Sequence, residues 1–254
     1  MYLLALLFLV TAFAYASVGF GGGSTYNALL VLSGTDFRVI PAIALSCNIL
    51  VVSGGAWHYH VQGALRLRQL LPFVALSMPM AWLGGSMPID ERSFVGLLGL
   101  TLLISAVLMF RQSASRPEQF RRVDLSAWQI GLPCGAAIGL LSGVVGVGGG
   151  IFLAPLLYLF SSIPARQIAG LASGFILVNS LFGLAGQLGK HAAGDPFDAW
   201  LGAWPLFLAV IVGGQAGSRL GARVLPEASI RKLTGVLVLY VSVRLLLRWL
   251  ELGH

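Results

Sequence analysis

The chain has 254 residues, of which 57% are hydrophobic and only 10% are charged, and its mean hydropathy is +0.87. A soluble domain usually carries about 25% charged residues, so this composition excludes a soluble globular protein and indicates a polytopic membrane protein. The net charge of +7 comes from basic residues that lie between apolar segments. This is typical of loops that face the cytoplasm and anionic lipid, and it argues against a nucleic-acid partner.

In chain order, apolar segments predict helices from the first residues to the last. Segments of about 18 residues or more can span a hydrocarbon core of about 30 Å, since a helix rises about 1.5 Å per residue. The two shortest segments would each make about 16 Å of helix, half a bilayer. The first segment lacks the basic start of a secretory signal, so we expect it to be retained. The segments lie at 2–18, 24–34, 41–57, 69–87, 93–110, 128–145, 151–161, 167–189, 199–217 and 233–250.

The two halves of the chain are repeats of each other. Shifting residues 19–53 by 127 positions aligns 13 identical residues in 35. The identities include the four glycines of a Gly-x-Gly-Gly-Gly sequence and two pairs of serines, Ser46/Ser173 and Ser53/Ser180. The repeat predicts this division of the chain: a first transmembrane repeat at 1–110, a basic cytoplasmic linker at 111–124 and a second transmembrane repeat at 125–254.

The distribution of Lys and Arg orients these repeats. The linker contains Arg111, Arg116, Arg121 and Arg122, which places it in the cytoplasm. If each glycine-interrupted pair of helices crosses the membrane once, the halves are parallel, with nine basic residues inside and seven outside. If each pair enters and returns on the same side, the halves are inverted, with eleven inside and five outside. The count favours an all-α membrane protein of two inverted repeats, each with a broken, re-entrant helix pair at a glycine-rich elbow.

The two runs of three glycines predict where those helices break. Each glycine costs a helix about 1 kcal/mol relative to alanine, and unpaired backbone in lipid costs several kcal/mol per group. Such a break is tolerated where it lines a cavity, so matching breaks in two repeats point to a transporter's binding site. Half-helices beginning at Ser24 and Ile151 would present free N–H groups, which favour anions. Close helix packing is the alternative, and it is the role expected of Gly96/Gly99, Gly135/Gly139 and Gly213/Gly217.

Polar side chains inside the apolar segments are the other candidates for the site, because they are costly in lipid. Hydrogen bonds between or within helices are the alternative explanation for them. No metal site is predicted, since His58 and His60 point to different faces of a helix, and Cys47 and Cys134 are expected to act as small apolar residues. The predicted substrate-binding residues are Gly21, Gly22, Gly23, Ser24, Thr25, Asn27, Ser46, Asn48, Gly148, Gly149, Gly150, Ser173, Asn179 and Gln187.

The duplicated pattern resembles the TauE/SafE sulfite-exporter family. It consists of two Gly-x-Gly-Gly-Gly copies, an apolar run such as LAPLLYL, and an Ala-x-x-x-Ser segment about twenty residues later. The resemblance covers nearly the whole chain and implies a secondary transporter that moves sulfite, a small organosulfonate or a related anion across the bacterial inner membrane by alternating access. Export driven by protons or by the membrane potential is the family's implication. The copies differ, since Pro155 of the second is Ala28 in the first, so the two sides of the site would be unequal.

Two other classes of function stay open at this point. An anion channel-like pore would use the same elbows without alternating access, and a transporter of another small solute or a metal ion is a further alternative. An enzyme is not expected, because neither HExxH nor GxSxG occurs and the glycine run lacks the Lys-Ser/Thr ending of a phosphate-binding loop. No cofactor is predicted, and the oligomeric state is open, a homo-oligomer included.

Overall fold

The computed structural model describes residues 2–17, 19–114, 128–160, 164–190, 200–224 and 227–252. Most of the predicted linker lies outside this part of the chain. Within the described part, every element is a helix: α1 Tyr2–Ser17, α2 Gly23–Leu32, α3 Ile40–Val61, α4 Leu67–Ser86, α5 Glu91–Ala114, α6 Trp128–Val145, α7 Gly150–Phe160, α8 Ala165–Lys190, α9 Trp204–Val224 and α10 Glu227–Glu251.

The distribution of polarity is that of a membrane protein. Three stretches are long and apolar enough to cross a bilayer, Ile40–Val61, Glu91–Leu108 and Arg166–Lys190. Large apolar side chains such as Trp57 and Trp204 lie on the outer surface, while serines, threonines and asparagines lie in the interior. The prediction of an all-helical, multi-pass membrane protein is therefore confirmed.

Glycines allow the helices to pack with their backbones close together, as predicted for the three isolated glycine pairs. A Cβ on Gly139 would lie 2.5 Å from the Ser77 carbonyl oxygen of α4, and one on Gly99 would lie 3.1 Å from Leu246 of α10. The same close approach occurs elsewhere in these seams: Gly135 faces the Phe73 carbonyl, Gly213 the Leu9 carbonyl, Gly217 the Phe13 carbonyl, and Gly96 the Trp249 ring. The packing role of these pairs is confirmed.

The two repeats are interlocked in a reciprocal pattern. Helix α4 of the first repeat packs along α6 of the second, and its counterpart α9 packs along α1. Helix α5 packs on its own counterpart α10, and α3 on its counterpart α8. Exchanging the helices of one half for their counterparts in the other exchanges these pairs, as expected for two halves related by a two-fold axis.

The counterparts α3 and α8 run antiparallel through the centre. Near the start of α3, Leu45 contacts Gly183 late in α8, while Gly55 faces Ser173, nearer the beginning of α8. The helix ends agree with this direction. The Lys190 ammonium donates to the Met87 carbonyl at 3.4 Å, which joins the end of α8 to the end of α4. We call this end A, and we call the opposite end, with residues 62–66 and the start of α8, end B.

Candidate functional site

The first elbow separates α1 from α2. The N–H of Gly19 donates to the Ala16 carbonyl and that of Phe20 to the Tyr15 carbonyl, the Schellman pattern that ends a helix. Gly19 has φ 84°, a left-handed conformation that glycine adopts without a steric cost. Helix α2 then begins at Gly23.

The second elbow repeats this arrangement between α6 and α7. The N–H of Gly146, the counterpart of Gly19, donates to the Ser142 carbonyl at 2.8 Å, and Gly146 has φ 78°. Helix α7 begins at Gly150. Both helix breaks are therefore confirmed, each new helix starting one residue earlier than predicted. With 10 and 11 residues, α2 and α7 reach about 15–16 Å, half the thickness of a bilayer.

The chain reverses at the first elbow. The ring of Tyr26, on the first turn of α2, stacks on Phe8 of α1 with centroids 4.8 Å apart. The hydroxyl groups of Tyr15 and Thr25 lie 2.9 Å apart. A helix that continued in the direction of α1 would carry Tyr26 away from Phe8, 18 residues before it, so α2 folds back over α1.

The two elbows meet at Asn48, a fully buried residue of α3. Its Nδ2 donates to the Val147 carbonyl in the second elbow at 3.2 Å. On the other side, a Cβ on Gly21 would lie 2.5 Å from Asn48 Oδ1. The elbows also touch directly, since a Cβ on Gly23 would lie 2.5 Å from the Val147 oxygen. A second bond, from Asn27 Nδ2 to the Val145 carbonyl at 3.0 Å, ties α2 to the end of α6.

This junction contains polar groups that lack a partner in the described part of the chain. The N–H groups of Gly23 and Ser24, and those of Gly150 and Ile151, lie in the first turns of α2 and α7, where the helix itself supplies no acceptor for them. The side-chain atoms Asn48 Oδ1, Asn27 Oδ1 and Ser180 Oγ are buried without a hydrogen-bond partner. Buried polar groups are normally satisfied, so these atoms mark a place where a ligand or water would bind.

The electrostatics of the junction favour a negative ligand. The first N–H groups of a helix carry about half a positive charge, and here the first residue of α2 contacts the elbow that leads into α7. The buried polar residues of the described part include no Asp or Glu. N–H and hydroxyl donors suit an anion, whereas the amide oxygens of Asn48 and Asn27 accept hydrogen bonds and suit a water molecule or a donor group of the ligand.

The structure brings some of the predicted residues together and separates others. Gly21, Gly23, Asn48 and Gly148 lie at the junction, and Gly148 has φ 80° with Asn48 and Ser180 beside its Cα. All fourteen predicted residues are buried. Also at the elbows are the remaining glycines and first-turn residues: Gly22, Gly149, Gly150, Ser24, Thr25 and Asn27.

Four predicted residues on the long helices α3 and α8 make hydrogen bonds that hold helices or elbows in place. Ser173 Oγ donates to the Gly19 carbonyl and so supports the first elbow. Ser46 accepts from the Trp200 indole at 2.9 Å, and Asn179 accepts from Ser77 of α4 at 2.8 Å. Gln187 Nε2 donates to the Gly143 carbonyl of α6 at 2.9 Å. Direct ligand contact by these four side chains stays a prediction.

Sequence reasoning missed two residues at the junction, Ser180 and Tyr26. Ser180 lies beside Gly148, and its identity with Ser53 in the repeat was a signal that could have found it. Tyr26 lies against Gly22 with its hydroxyl buried and without a partner among the described residues. Its counterpart in the second repeat is Leu153, so the repeat contains no signal for it.

Comparison with known proteins assigns the family. The sequence profile described as "Sulfite exporter TauE/SafE" matches residues 3–245, which is nearly the whole chain. The chain belongs to the TauE/SafE family. The duplicated glycine elbows are thus those of a membrane transporter family, as the resemblance implied.

Curated relatives of this TauE/SafE chain are named as transporters. It is 34% identical over 244 residues to the "Probable membrane transporter protein y4hK" of Sinorhizobium fredii, covering 96% of this chain and 97% of that protein. It is 28% identical over 260 residues to a "Probable membrane transporter protein" of Xylella fastidiosa, covering 96% and 94%. A protein of Methanocaldococcus jannaschii with the same description matches at 26% over 136 residues, covering 54% and 49%. No solved structure matches the chain.

Proposed function

We propose that this membrane transporter moves sulfite or a small organosulfonate across the bacterial inner membrane, with the anion bound between the two glycine elbows. The observation that carries the proposal is the junction at Asn48. The first turn of α2, whose N–H groups have no acceptor within the helix, meets the elbow before α7 there, and the nearby Ser180 hydroxyl has no hydrogen-bond partner in the described part of the chain. Backbone donors at Gly23, Ser24, Gly150 and Ile151, with the Ser180 hydroxyl, would replace the hydration of the anion.

The mechanism we propose is alternating access by two inverted repeats. Its support is the antiparallel crossing of α3 and α8, because a two-fold axis that relates antiparallel counterparts lies in the membrane plane. The reversal of the chain between Phe8 and Tyr26 supports the re-entrant pair that this topology requires. Movement of one repeat against the other would open the junction to end A and end B in turn.

Export is the direction that we propose. The inverted arrangement puts the arginine-rich linker, and with it end B, in the cytoplasm, with eleven basic residues inside and five outside. An inside-negative potential then drives an anion from end B to end A. The charge of the proposed substrate and the proposed orientation of the chain both support export, and proton coupling is an additional driving force to be measured.

The experiment begins with ligand identity. Purified protein is screened by thermal shift against sulfite, thiosulfate, sulfate, benzenesulfonate, taurine, chloride and divalent metals. We expect sulfite or a sulfonate to raise the melting temperature, and taurine, whose ammonium group cancels its charge, to raise it less. The junction has no buried carboxylate in the described part of the chain, so we expect no stabilisation by a divalent metal. Stabilisation by a metal alone would overturn the proposed anion transport.

The second experiment tests whether the protein is a carrier or a channel. In proteoliposomes, a carrier loaded with unlabelled anion gives saturable counterflow of the labelled anion, since the site must bind on one side before it opens on the other. A channel-like pore gives large electrical currents and no counterflow. We expect counterflow in the parent protein and weaker counterflow in Asn48→Ala. Gln215→Ala of α9, which removes an amide away from the junction, is the control.

A further inference from the structure

A pocket of about 270 Å³ opens at end A, close to the second elbow. Its walls are Phe37, Arg38, Pro41, Pro88, Ile89, Phe94 and Lys190. The volume corresponds to about nine water molecules, at about 30 Å³ each. Its floor touches the elbow, since a Cβ on Gly146 would lie 2.5 Å from the Cα of Pro41.

The charged groups of this wall are both positive. Arg38 is exposed in the turn before α3, and Lys190 is half-buried at the end of α8. Three carboxylates lie in the segments next to this wall, and each of them accepts a hydrogen bond or forms an ion pair. Asp36 accepts from the backbone N–H of Arg38 at 2.9 Å, and Glu91 pairs with Arg248 of α10. Hydrogen bonds from Ser93 hold Asp90 at the start of α5 and lower the pKa of that carboxyl.

The equivalent place at end B is built differently. Arg166, one residue out of register with Arg38, donates to the side-chain oxygen of Gln62 and so joins α8 to the end of α3. At end A the corresponding place is taken by Lys190, which lies 127 positions after Gly63, the neighbour of Gln62. An amide can accept from an arginine, but an ammonium cannot, so Lys190 cannot serve Arg38 as Gln62 serves Arg166, and an anion between the two cations would supply an acceptor.

We propose that this pocket is a second anion-binding site, separate from the elbow junction, that takes the charged head of a small organic anion between Arg38 and Lys190. Phe37, Phe94 and Ile89 give it an apolar wall, which suits a ligand with a hydrocarbon or aromatic body. Arg38 is also stacked over Phe37 at 5.7 Å from the ring centroid, which holds its guanidinium against this wall. That this site forms the outer mouth of the transport pathway rests on the proposed function. That it binds an anion does not.

The test places a thiol inside the pocket. Ile89→Cys is made in a Cys47→Ala/Cys134→Ala background, and proteoliposomes are treated with an anionic sulfonatoethyl and a cationic trimethylammonioethyl thiosulfonate reagent. We expect the ratio of the anionic to the cationic labelling rate to be at least tenfold higher for this cysteine than for a free thiol. Benzenesulfonate should slow the labelling at least fivefold. Arg38→Gln and Lys190→Gln should remove both effects, and Arg92→Gln, an exposed arginine of the same end, should leave both.

Three outcomes would overturn the site. These are an unchanged reagent preference in Arg38→Gln and Lys190→Gln, an equal effect of Arg92→Gln, and an absence of protection by benzenesulfonate. If the cysteine variant does not fold, calorimetric titration of the otherwise unaltered chain with benzenesulfonate decides: Arg38→Gln and Lys190→Gln must bind at least fivefold more weakly than Arg92→Gln. Protection by benzenesulfonate without uptake of any anion would support the pocket site and reject the proposed transport. Uptake of an anion without protection would support the transport and reject the pocket site.

Discussion

Replacing Gly23 with alanine tests the contact between the two elbows. Gly23 is the first residue of α2, and a glycine-to-alanine change in an isolated helix is favourable by up to about 1 kcal/mol. In this fold, however, the added methyl would lie 2.5 Å from the Val147 carbonyl oxygen and would also meet Asn48 Nδ2. A change that helps the helix locally is therefore expected to push the elbows apart.

The size of the effect follows from the distances. Ordinary contacts of a Cβ begin near 3.4 Å, so Val147 must move by about 0.9 Å relative to Gly23. A hydrogen bond of about 2.9 Å to an anion held by both elbows would then stretch beyond the useful range. A bond to a charged group contributes about 1.5–3 kcal/mol, so one lost bond weakens affinity roughly 10- to 150-fold.

The assay is calorimetric titration of the purified protein with the anion that the thermal-shift screen selects. Gly202→Ala is the matched control, because nothing lies within 4 Å of a Cβ at that helical position, and its affinity should stay within about twofold of the parent. A Gly23→Ala protein that elutes as a single species and keeps the parent affinity would refute the reasoning, since the elbows would then not hold the ligand together.

Three further substitutions test individual bonds of the junction. Asn48→Ala removes the bond to the Val147 carbonyl and should weaken anion affinity by about 1 kcal/mol or more, measured by the same titration; unchanged affinity would give Asn48 a purely structural role. Ser173→Ala removes the bond to the Gly19 carbonyl, so the free energies of anion binding and of unfolding should each fall by about 1 kcal/mol, the second measured as a lower melting temperature. Tyr26→Phe deletes a buried hydroxyl without a partner in the described chain, so the melting temperature should stay or rise, and a clear decrease would reveal a bound partner.

Much of the helical architecture is predictable from local sequence. Apolar segments of 18 residues or more became helices because no other backbone conformation satisfies its own hydrogen bonds in lipid. The glycine runs became breaks for the opposite reason, since each contains positions with left-handed φ that favour glycine, such as Gly19 and Gly146. The boundaries are less predictable. Helix α3 continues to Val61, beyond the apolar segment that ends at 57, because polar residues at a membrane surface remain compatible with a helix.

The candidate site was only partly accessible from the sequence. A polar residue in an apolar helix signals that it is buried, but the signal does not tell which neighbour it meets. Asn48 and Asn179 look alike in sequence, yet Asn48 lies between the elbows and Asn179 turns toward Ser77 of α4. The difference depends on the rotation of α3 and α8 about their axes, which long-range packing sets. Tyr26, which has no polar counterpart in the second repeat, became visible only with the packing of α2 on α1.

The amino-acid sequence by itself determined that this chain lies in a membrane and that its helices break at two repeated glycine elbows, and it predicted that its halves are repeats. These are consequences of local chemistry, namely hydropathy, backbone hydrogen bonding and the conformational freedom of glycine. Only the tertiary structure decided that the elbows touch at Asn48, that α3 and α8 cross antiparallel, and that a basic pocket opens beside Gly146 at end A. Those features join residues about 100 positions or more apart, so they arise from the packing of whole helices, which no local pattern encodes.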